Sequence, residues 1–252
     1  MGHAKPALAG DAFVCAGFRV SGLATTRENR RFALSAGLLL CVFFVAFTVL
    51  TKQFGSEALD RRTLDLANSV AGGRFHTLFE FVEPFGSPLI SSILALALAV
   101  RVAIVRGFLA GLAVLAALGL MTLIEGLLRV RLDALPWEHL TEFAKHPRGW
   151  RLIHSGYPSG HTARLALLAV IAAVAPARRQ PWWAAIAVVA ITFWIGVQRV
   201  EAGRHSGADV IGGALLAWAI GLLYAVALPW FSSAGYAFQA RRLPPERLPR
   251  AD

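Results

Sequence analysis

Long uninterrupted apolar segments are the feature of this sequence that most restricts how the chain can fold. The first runs from Phe32 to Thr51 as FALSAGLLLCVFFVAFTVLT and contains no charged residue. A helix needs roughly 17 to 25 apolar residues to cross the hydrocarbon core of a bilayer. Charged residues make up only 16% of the chain, against about 25% in a typical soluble domain. The sequence therefore predicts a membrane protein.

Five further apolar segments follow the first. They are predicted near residues 87–105, 108–128, 162–175, 182–197 and 209–231. The fourth segment of the chain is short and carries Arg164 in its first turn. We therefore expect an all-α fold, a polytopic membrane protein with six transmembrane helices.

The apolar segments divide the chain into an N-terminal arm, a membrane domain and a polar tail, assigned to residues 1–31, 32–231 and 232–252. The tail contains Pro and charged residues and has little to bury, so we expect it to be disordered. Two longer connections lie inside the membrane domain. Residues 52–86 are expected to form a helical loop at the interface, and residues 129–161 a loop that carries the functional site.

The first of these connections contains an amphipathic pattern. Leu59, Thr63, Leu66 and Val70 fall on one face of a helix, while Asp60 and the charged residues near it lie elsewhere. This pattern predicts a helix that lies at the membrane interface. A solvated loop helix is the alternative.

The basic residues, which give the chain a net charge of +10, flank the apolar segments. Six spans place both termini on one side of the membrane, together with the connections after the second and fourth spans. These regions all carry arginines, and the positive-inside rule makes such a side cytoplasmic. The sequence lacks a basic and aromatic module for nucleic acid, so no nucleic-acid partner is expected. The two cysteines form no CxxC pattern, so no metal site is expected either.

Ionisable residues cluster in two connections on the opposite, outer side, those after the third and fifth spans. They lie beside apolar helices, where charges are costly, and they therefore indicate function. His205 and Asp209 are four residues apart, so on a helix they share one face and can touch. An Asp bonded to one imidazole nitrogen fixes the tautomer and leaves the other nitrogen free to attack. His205 is therefore a candidate nucleophile, and Asp209 is its candidate orienting partner.

The stretch PSGH, which ends at His161, directly precedes the fourth span. A protonated His161 could give its proton to a leaving oxygen. Ser159, Gly160 and the first amides of the next helix form an anion site at a positive helix end. Arg199 is a permanent planar cation suited to oxyanions. Together these residues provide for nucleophilic displacement at phosphorus without a metal.

Each of these residues has a simpler explanation when it is taken alone. His161 and Asp209 could cap helices, and His205 could be an interfacial histidine. Arg199 could be a basic residue that ends a span. Their joint occurrence on one membrane face favours the functional interpretation.

The PSGH stretch and the pattern Arg199-x5-His205-x3-Asp209 resemble the motifs of type-2 phosphatidic acid phosphatases, the lipid phosphate phosphatases. Vanadium haloperoxidases and soluble bacterial acid phosphatases share this site. The resemblance extends from the third span to the sixth and includes HSGADVIGGALLAW. It implies that His205 becomes a phosphohistidine, that Asp209 orients it and that His161 is the general acid. The phosphate ligands that it implies are Ser159, Gly160 and Arg199.

The chain departs from the family pattern at two motifs. The family usually has Ser before the Arg of its last motif, where this chain has Gln198. The first motif, K-x6-R-P, aligned on Pro136, puts Leu128 and Leu135 at the positions of the Lys and the Arg. Arg129 is the candidate substitute for that Lys and a candidate substrate ligand. Three residues stay open as replacements for the missing Arg: Arg131, Arg148 and Arg151.

The resemblance implies an integral membrane lipid phosphatase without a cofactor. Polyprenyl diphosphate, phosphatidylglycerol phosphate, phosphatidic acid and lipid A phosphates all fit as substrates. The implied location is the bacterial inner membrane, with cytoplasmic termini and a periplasmic active site. A phosphotransferase that uses the same site and a non-catalytic lipid-phosphate-binding or transport protein are the alternatives, the second because the first motif is incomplete. A vanadate-dependent peroxidase is disfavoured because such enzymes resemble soluble proteins.

Overall fold

The computed structural model describes residues 27–71, 81, 83–132, 156–175 and 183–242. Its elements in this part of the chain are seven α-helices and one 3-10 turn, which we call the EPFG turn, at Glu83–Gly86. The helices are α1 Arg27–Phe54, α2 Glu57–Ala71, α3 Pro88–Arg106, α4 Phe108–Leu132, α5 Gly160–Val174, α6 Trp183–Glu201 and α7 Gly207–Arg242. The predicted all-α fold is confirmed.

Five of the helices are long and apolar enough to cross a membrane: α1, α3, α4, α6 and α7. α5 is also apolar but has only 15 residues. It packs against α6 and α7, and also against α3, α4 and the EPFG turn. Most of its residues are buried. Protein encloses α5 on most sides, so little of this helix would face lipid. A helix in that position does not need the full length of a membrane span.

The start of α5 lies unusually close to α7. A Cβ atom at Gly213 of α7 would lie 2.6 Å from the carbonyl oxygen of Ser159, which is closer than real side chains come. Gly213 therefore lets the PSGH stretch rest on the backbone of the last helix. This contact joins the two sequence motifs in space.

Helix α2 lies within the first connection, and its buried face differs from the expected one. Leu64 and Ala67 are buried and pack against α6, whereas Leu66 is 48% exposed. Asp60, expected away from the apolar face, is 2% exposed. The apolar pattern misleads here because hydrogen bonds from outside the helix make the burial of this carboxylate possible.

The last helix is longer than expected. It was predicted to end near Phe231, with a polar tail from residue 232, but α7 continues to Arg242 and contains Pro229. The segment after Phe231 includes several residues with good helix propensity, such as Ala and Gln, so polarity alone does not end the helix. Helix α1 likewise begins at Arg27, inside the predicted N-terminal arm. The remaining arm residues 1–26, most of the predicted loop at 129–161 and residues 243–252 lie outside the described part.

Candidate active site

His205 and Asp209 meet where α6 turns into α7. Nδ1 of His205 lies 3.4 Å from Oδ2 of Asp209. The same Oδ2 accepts a hydrogen bond of 3.0 Å from the backbone N–H of Ser206, and the N–H of Asp209 donates to the hydroxyl of Ser206 at 3.3 Å. This reciprocal pair is a capping box at the start of α7. The cap fixes the carboxylate, and the contact through Nδ1 leaves Nε2 of His205 as the nitrogen that can attack.

The loop before α5 passes directly over this pair. A Cβ atom at Gly156 would lie 2.7 Å from Nδ1 of His205 and 2.7 Å from Oδ2 of Asp209. The backbone N–H of Ser159 also donates to the carbonyl oxygen of Asp209 at 2.9 Å. The structure thus brings the PSGH stretch and the His–Asp pair together.

Tyr157 anchors this loop to the first helix. Its ring is buried, stacks on Phe44 of α1 with 6.3 Å between the centroids, and its hydroxyl hydrogen-bonds to Thr48. Burial raises the pKa of Tyr157 to about 12, so the phenol stays neutral and keeps its proton for hydrogen bonding. The position of the PSGH stretch therefore depends on α1, which contains none of the motif residues.

Ser159 and Gly160 form the start of α5. Ser159 occupies the N-cap position, but its hydroxyl pairs with that of Thr162 at 3.1 Å and makes no side-chain cap. The first backbone N–H groups of α5 therefore receive no hydrogen-bond acceptor from this side chain. An anion site at a helix start needs such unoccupied N–H groups. Gly160 packs so closely on the carboxylate of Glu125 that no side chain fits there.

His161 follows in the first turn of α5 and is half-buried. A Cβ atom at Gly86 would lie 2.6 Å from Cδ2 of the His161 ring, so the EPFG turn covers one side of the imidazole. The charges of Arg199, Arg164 and Arg129 all act on His161, and His205 does so as well. Burial and these positive charges lower the pKa of His161 to about 3, so without a bound anion the imidazole is neutral at pH 7.

Arg199 lies in the last turn of α6 and is 5% exposed. Its Nη1 donates to Oε1 of Glu83 at 3.1 Å. The Nε of Arg199 is buried and has no hydrogen-bond partner within the described part of the chain. One edge of the guanidinium is therefore held by Glu83, and a donor remains for another acceptor.

A second cationic group surrounds Glu125 of α4. Its Oε2 accepts a hydrogen bond of 3.1 Å from Arg164, and its Oε1 forms an ion pair with Arg129. Arg164 also donates through Nε to the carbonyl oxygen of Gly86 at 3.2 Å. One buried carboxylate thus holds two guanidinium groups, one on either side of it, next to the start of α5.

The arginines considered for the incomplete first motif differ in where they lie relative to the site. Arg129, the substitute expected for the Lys, belongs to the Glu125 group. Arg131 is exposed at the end of α4, and Arg148 and Arg151 lie outside the described residues. Arg164 is the cation that does lie beside Arg129, although it comes after PSGH rather than before it. Gln198, the other departure, is 2% exposed next to Arg199.

Asp60 supports the start of α7 from outside the motifs. Its carboxylate accepts a hydrogen bond of 2.9 Å from the backbone N–H of Ala208 and one of 2.6 Å from the hydroxyl of Ser56. Burial raises the pKa of Asp60, and these hydrogen bonds partly offset that rise. Sequence reasoning missed this residue, as well as Glu83 and Gly156. It noted Arg164 only as a charged residue in the first turn of a span, which was a usable signal.

Among the described residues, no group of three or more His, Cys, Asp or Glu side chains has the arrangement of a metal site. The site contains two imidazoles, the carboxylate of Asp209 beside His205, the carboxylates of Glu83 and Glu125 that pair with arginines, and a set of guanidinium groups. Such a set can bind a phosphate group and transfer it through a histidine.

Comparison with known proteins identifies the family. The model of the PAP2 superfamily matches residues 107–233, about half of the chain, and this range includes both motifs. The crystal structure of a transmembrane PAP2-type phosphatidylglycerolphosphate phosphatase from Bacillus subtilis has 18% sequence identity and a TM-score of 0.59, covering 82% of this chain and 98% of that one. At this identity the likeness shows the shared fold alone. No curated protein matches the sequence at a significant level. The chain therefore belongs to the PAP2 superfamily, as a phosphatase built on membrane-spanning helices.

Proposed function

We propose that this phosphatase removes the terminal phosphate of a membrane lipid through a phosphohistidine on His205. The observation that carries the proposal is the contact between His205 and Asp209, with the carboxylate fixed by the helix cap. Two further features support a lipid substrate. The site lies at the ends of apolar helices, and its cations match a phosphate headgroup.

In the first step, Nε2 of His205 attacks phosphorus while the bond to the leaving oxygen breaks. The negative charge of the bound phosphate favours the protonated form of His161, which gives its proton to that oxygen, and the oxygen leaves as the alcohol or the lipid phosphate. Asp209 stabilises the imidazolium that forms on His205. Arg199 and the first amides of α5 neutralise the charge that develops on the phosphoryl oxygens.

In the second step, a water molecule attacks the phosphohistidine. The nitrogen–phosphorus bond breaks, His161 accepts a proton from the water, and inorganic phosphate leaves. Both histidines return to their initial states. Every step uses groups of the chain and water, so the atoms and charges balance without a further reactant.

The substrate class is a lipid phosphomonoester or diphosphate. Polyprenyl diphosphate, phosphatidylglycerol phosphate, phosphatidic acid and lipid A phosphates all present such a terminal group. The similar protein from Bacillus subtilis is a phosphatidylglycerolphosphate phosphatase, so that lipid is the first to test. We further propose the inner membrane as the location, with cytoplasmic termini and the site on the periplasmic face.

The test is phosphate release from these four lipids in detergent micelles by the wild type and by His205→Ala. Wild type should release phosphate from at least one lipid, and His205→Ala should lower the rate by about 10³-fold or more, since the nucleophile is lost. Glu57→Gln, an exposed change on α2, is the control. Equal release by wild type and His205→Ala would exclude the mechanism. Transfer of phosphate to an added lipid acceptor instead of water would identify a phosphotransferase.

A further inference from the structure

Arg164 is a buried cation that belongs to neither of the two motifs of the site. It lies on α5, three residues after His161, and only 7% of it is exposed. The residues that follow it in the helix, LALLAVIAAV, are all apolar. A charge in such a position is costly, so its presence indicates a function.

The side chain of Arg164 extends back toward the start of α5. Helical side chains point toward the N-terminus of their helix, and two hydrogen bonds confirm this direction. Nε donates to the carbonyl oxygen of Gly86 at 3.2 Å, and Nη1 donates to Oε2 of Glu125 at 3.1 Å. Gly86 lies against the ring of His161. Glu125 lies against Gly160, so the guanidinium is held beside the first residues of α5.

The group around Glu125 contains more positive than negative charge. Arg129 and Arg164 both pair with this one carboxylate, so the three side chains together keep one net positive charge. A guanidinium has five N–H donors, and the two bonds of Arg164 leave others for a further acceptor. The charges of Arg164 and Arg199 both act on His161. An anion at the start of α5 would therefore meet this excess charge together with the positive end of the helix.

We propose that Arg164 binds the terminal phosphate of the substrate from the same helix whose first amides face that phosphate. This inference rests on the proposed function, because it concerns the phosphate bound at the same site. Guanidinium groups form charge-assisted hydrogen bonds to phosphate oxygens, which are stronger than neutral ones. Gly86 and Glu125 already hold the guanidinium, so little side-chain freedom is lost when the phosphate binds.

The experiment measures the binding of inorganic phosphate, which requires no turnover. The thermal midpoint in detergent is recorded at pH 8 and constant ionic strength over a range of phosphate concentrations, and its rise gives the dissociation constant. Arg164→Gln should weaken phosphate binding at least about tenfold, as expected when a hydrogen bond between charged groups is lost. Arg131→Gln removes an exposed cation at the end of α4 and should leave the dissociation constant unchanged.

A double variant separates phosphate binding from the pairing of Arg164 with Glu125. Glu125→Gln combined with Arg164→Gln keeps the net charge of the group and replaces a buried ion pair by neutral side chains, which proteins often tolerate. It should bind phosphate at least about tenfold more weakly than the wild type and than Glu125→Gln alone. A dissociation constant equal to either of these would overturn the proposal.

A purely structural role of Arg164 gives a different result. Arg164→Gln would then lower the midpoint without phosphate but leave the phosphate dissociation constant unchanged, which would also overturn the proposal. A wild type whose midpoint does not rise with phosphate would do the same. If Arg164→Gln weakens phosphate binding but the wild type hydrolyses no lipid, the role of Arg164 stands and the proposed function fails.

Discussion

The backbone N–H of Ser159 donates a hydrogen bond of 2.9 Å to the carbonyl oxygen of Asp209. This bond joins the cap of α5 to the first turn of α7, so the candidate phosphate-binding amides and the His–Asp pair are held by one backbone contact. The geometry between the two motifs is consequently sensitive to small shifts in the loop before α5. The first prediction tests that sensitivity.

Gly156→Ala should lower kcat by about 100-fold, the size of effect that a displacement near 1 Å can produce at a reaction centre. The added Cβ atom would lie 2.7 Å from both Nδ1 of His205 and Oδ2 of Asp209, so the loop or the pair must move. Gly119→Ala is the matched control, because its Cβ atom would meet no atom within 4 Å. Steady-state kinetics on the best lipid substrate measures both. Similar activity of the two variants would contradict the close contact.

Asp209→Asn should reduce kcat by about 10³-fold or more, because the amide cannot stabilise the imidazolium on His205 and can favour the wrong tautomer. Ser206→Ala is the control for the cap. It removes the hydroxyl that accepts from the N–H of Asp209 and should cost about 1 kcal/mol of stability. Rapid-quench trapping of the acid-labile phosphohistidine should show its formation slowed in Asp209→Asn and retained in Ser206→Ala. Equal amounts of trapped phosphohistidine in wild type and Asp209→Asn would contradict the role of Asp209 in orienting His205.

Arg129→Ala should raise KM roughly tenfold with little change in kcat, as expected when a binding interaction common to ground and transition states is lost. The reason is that Arg129 belongs to the cationic group around Glu125 and acts electrostatically on His161. Arg131→Ala removes a neighbouring but exposed charge from the same helix and should leave KM unchanged. The KM values of the two variants, measured with the same micelle composition, distinguish substrate binding by Arg129 from an effect of surface charge. Equal effects would assign the change to general surface charge.

Asp60 should make stability depend on pH. Because the pKa of Asp60 is raised in the folded protein, its protonated form favours folding. That contribution is fully present below the unfolded value of 3.8 and is lost as pH rises through the folded value. The thermal midpoint of wild type in detergent should therefore fall across this range, and Asp60→Asn should lack that component.

Asp60→Ala provides the second half of this test. It leaves the N–H of Ala208 without its acceptor and should cost about 1–3 kcal/mol, the usual penalty for an unsatisfied buried donor. Asp60→Asn keeps an oxygen at that position and should be closer to wild type at neutral pH. If Asn and Ala have the same midpoint, the hydrogen bond to α7 does not support the helix start.

The membrane fold and the motif residues could be predicted from the sequence because both depend on local patterns. An apolar run of bilayer length such as Phe32 to Thr51 has few alternatives to a membrane helix. The sequence places His205 four residues before Asp209 and predicts their contact on one face of a helix that begins near Arg204. The helix begins instead at Gly207, so His205 lies before it and reaches Asp209 through the turn and the cap at Ser206. These are relations between residues close in the chain.

Only the tertiary structure decided which other polar residues join the site. Asp60 is buried because Ala208, on a distant helix, offers a backbone donor, and Glu83 gains its role from Arg199. No periodicity in α2 or in the EPFG turn predicts these partners. Burial of a charge depends on what lies opposite it in space, and the chain packing that sets this is absent from the local sequence.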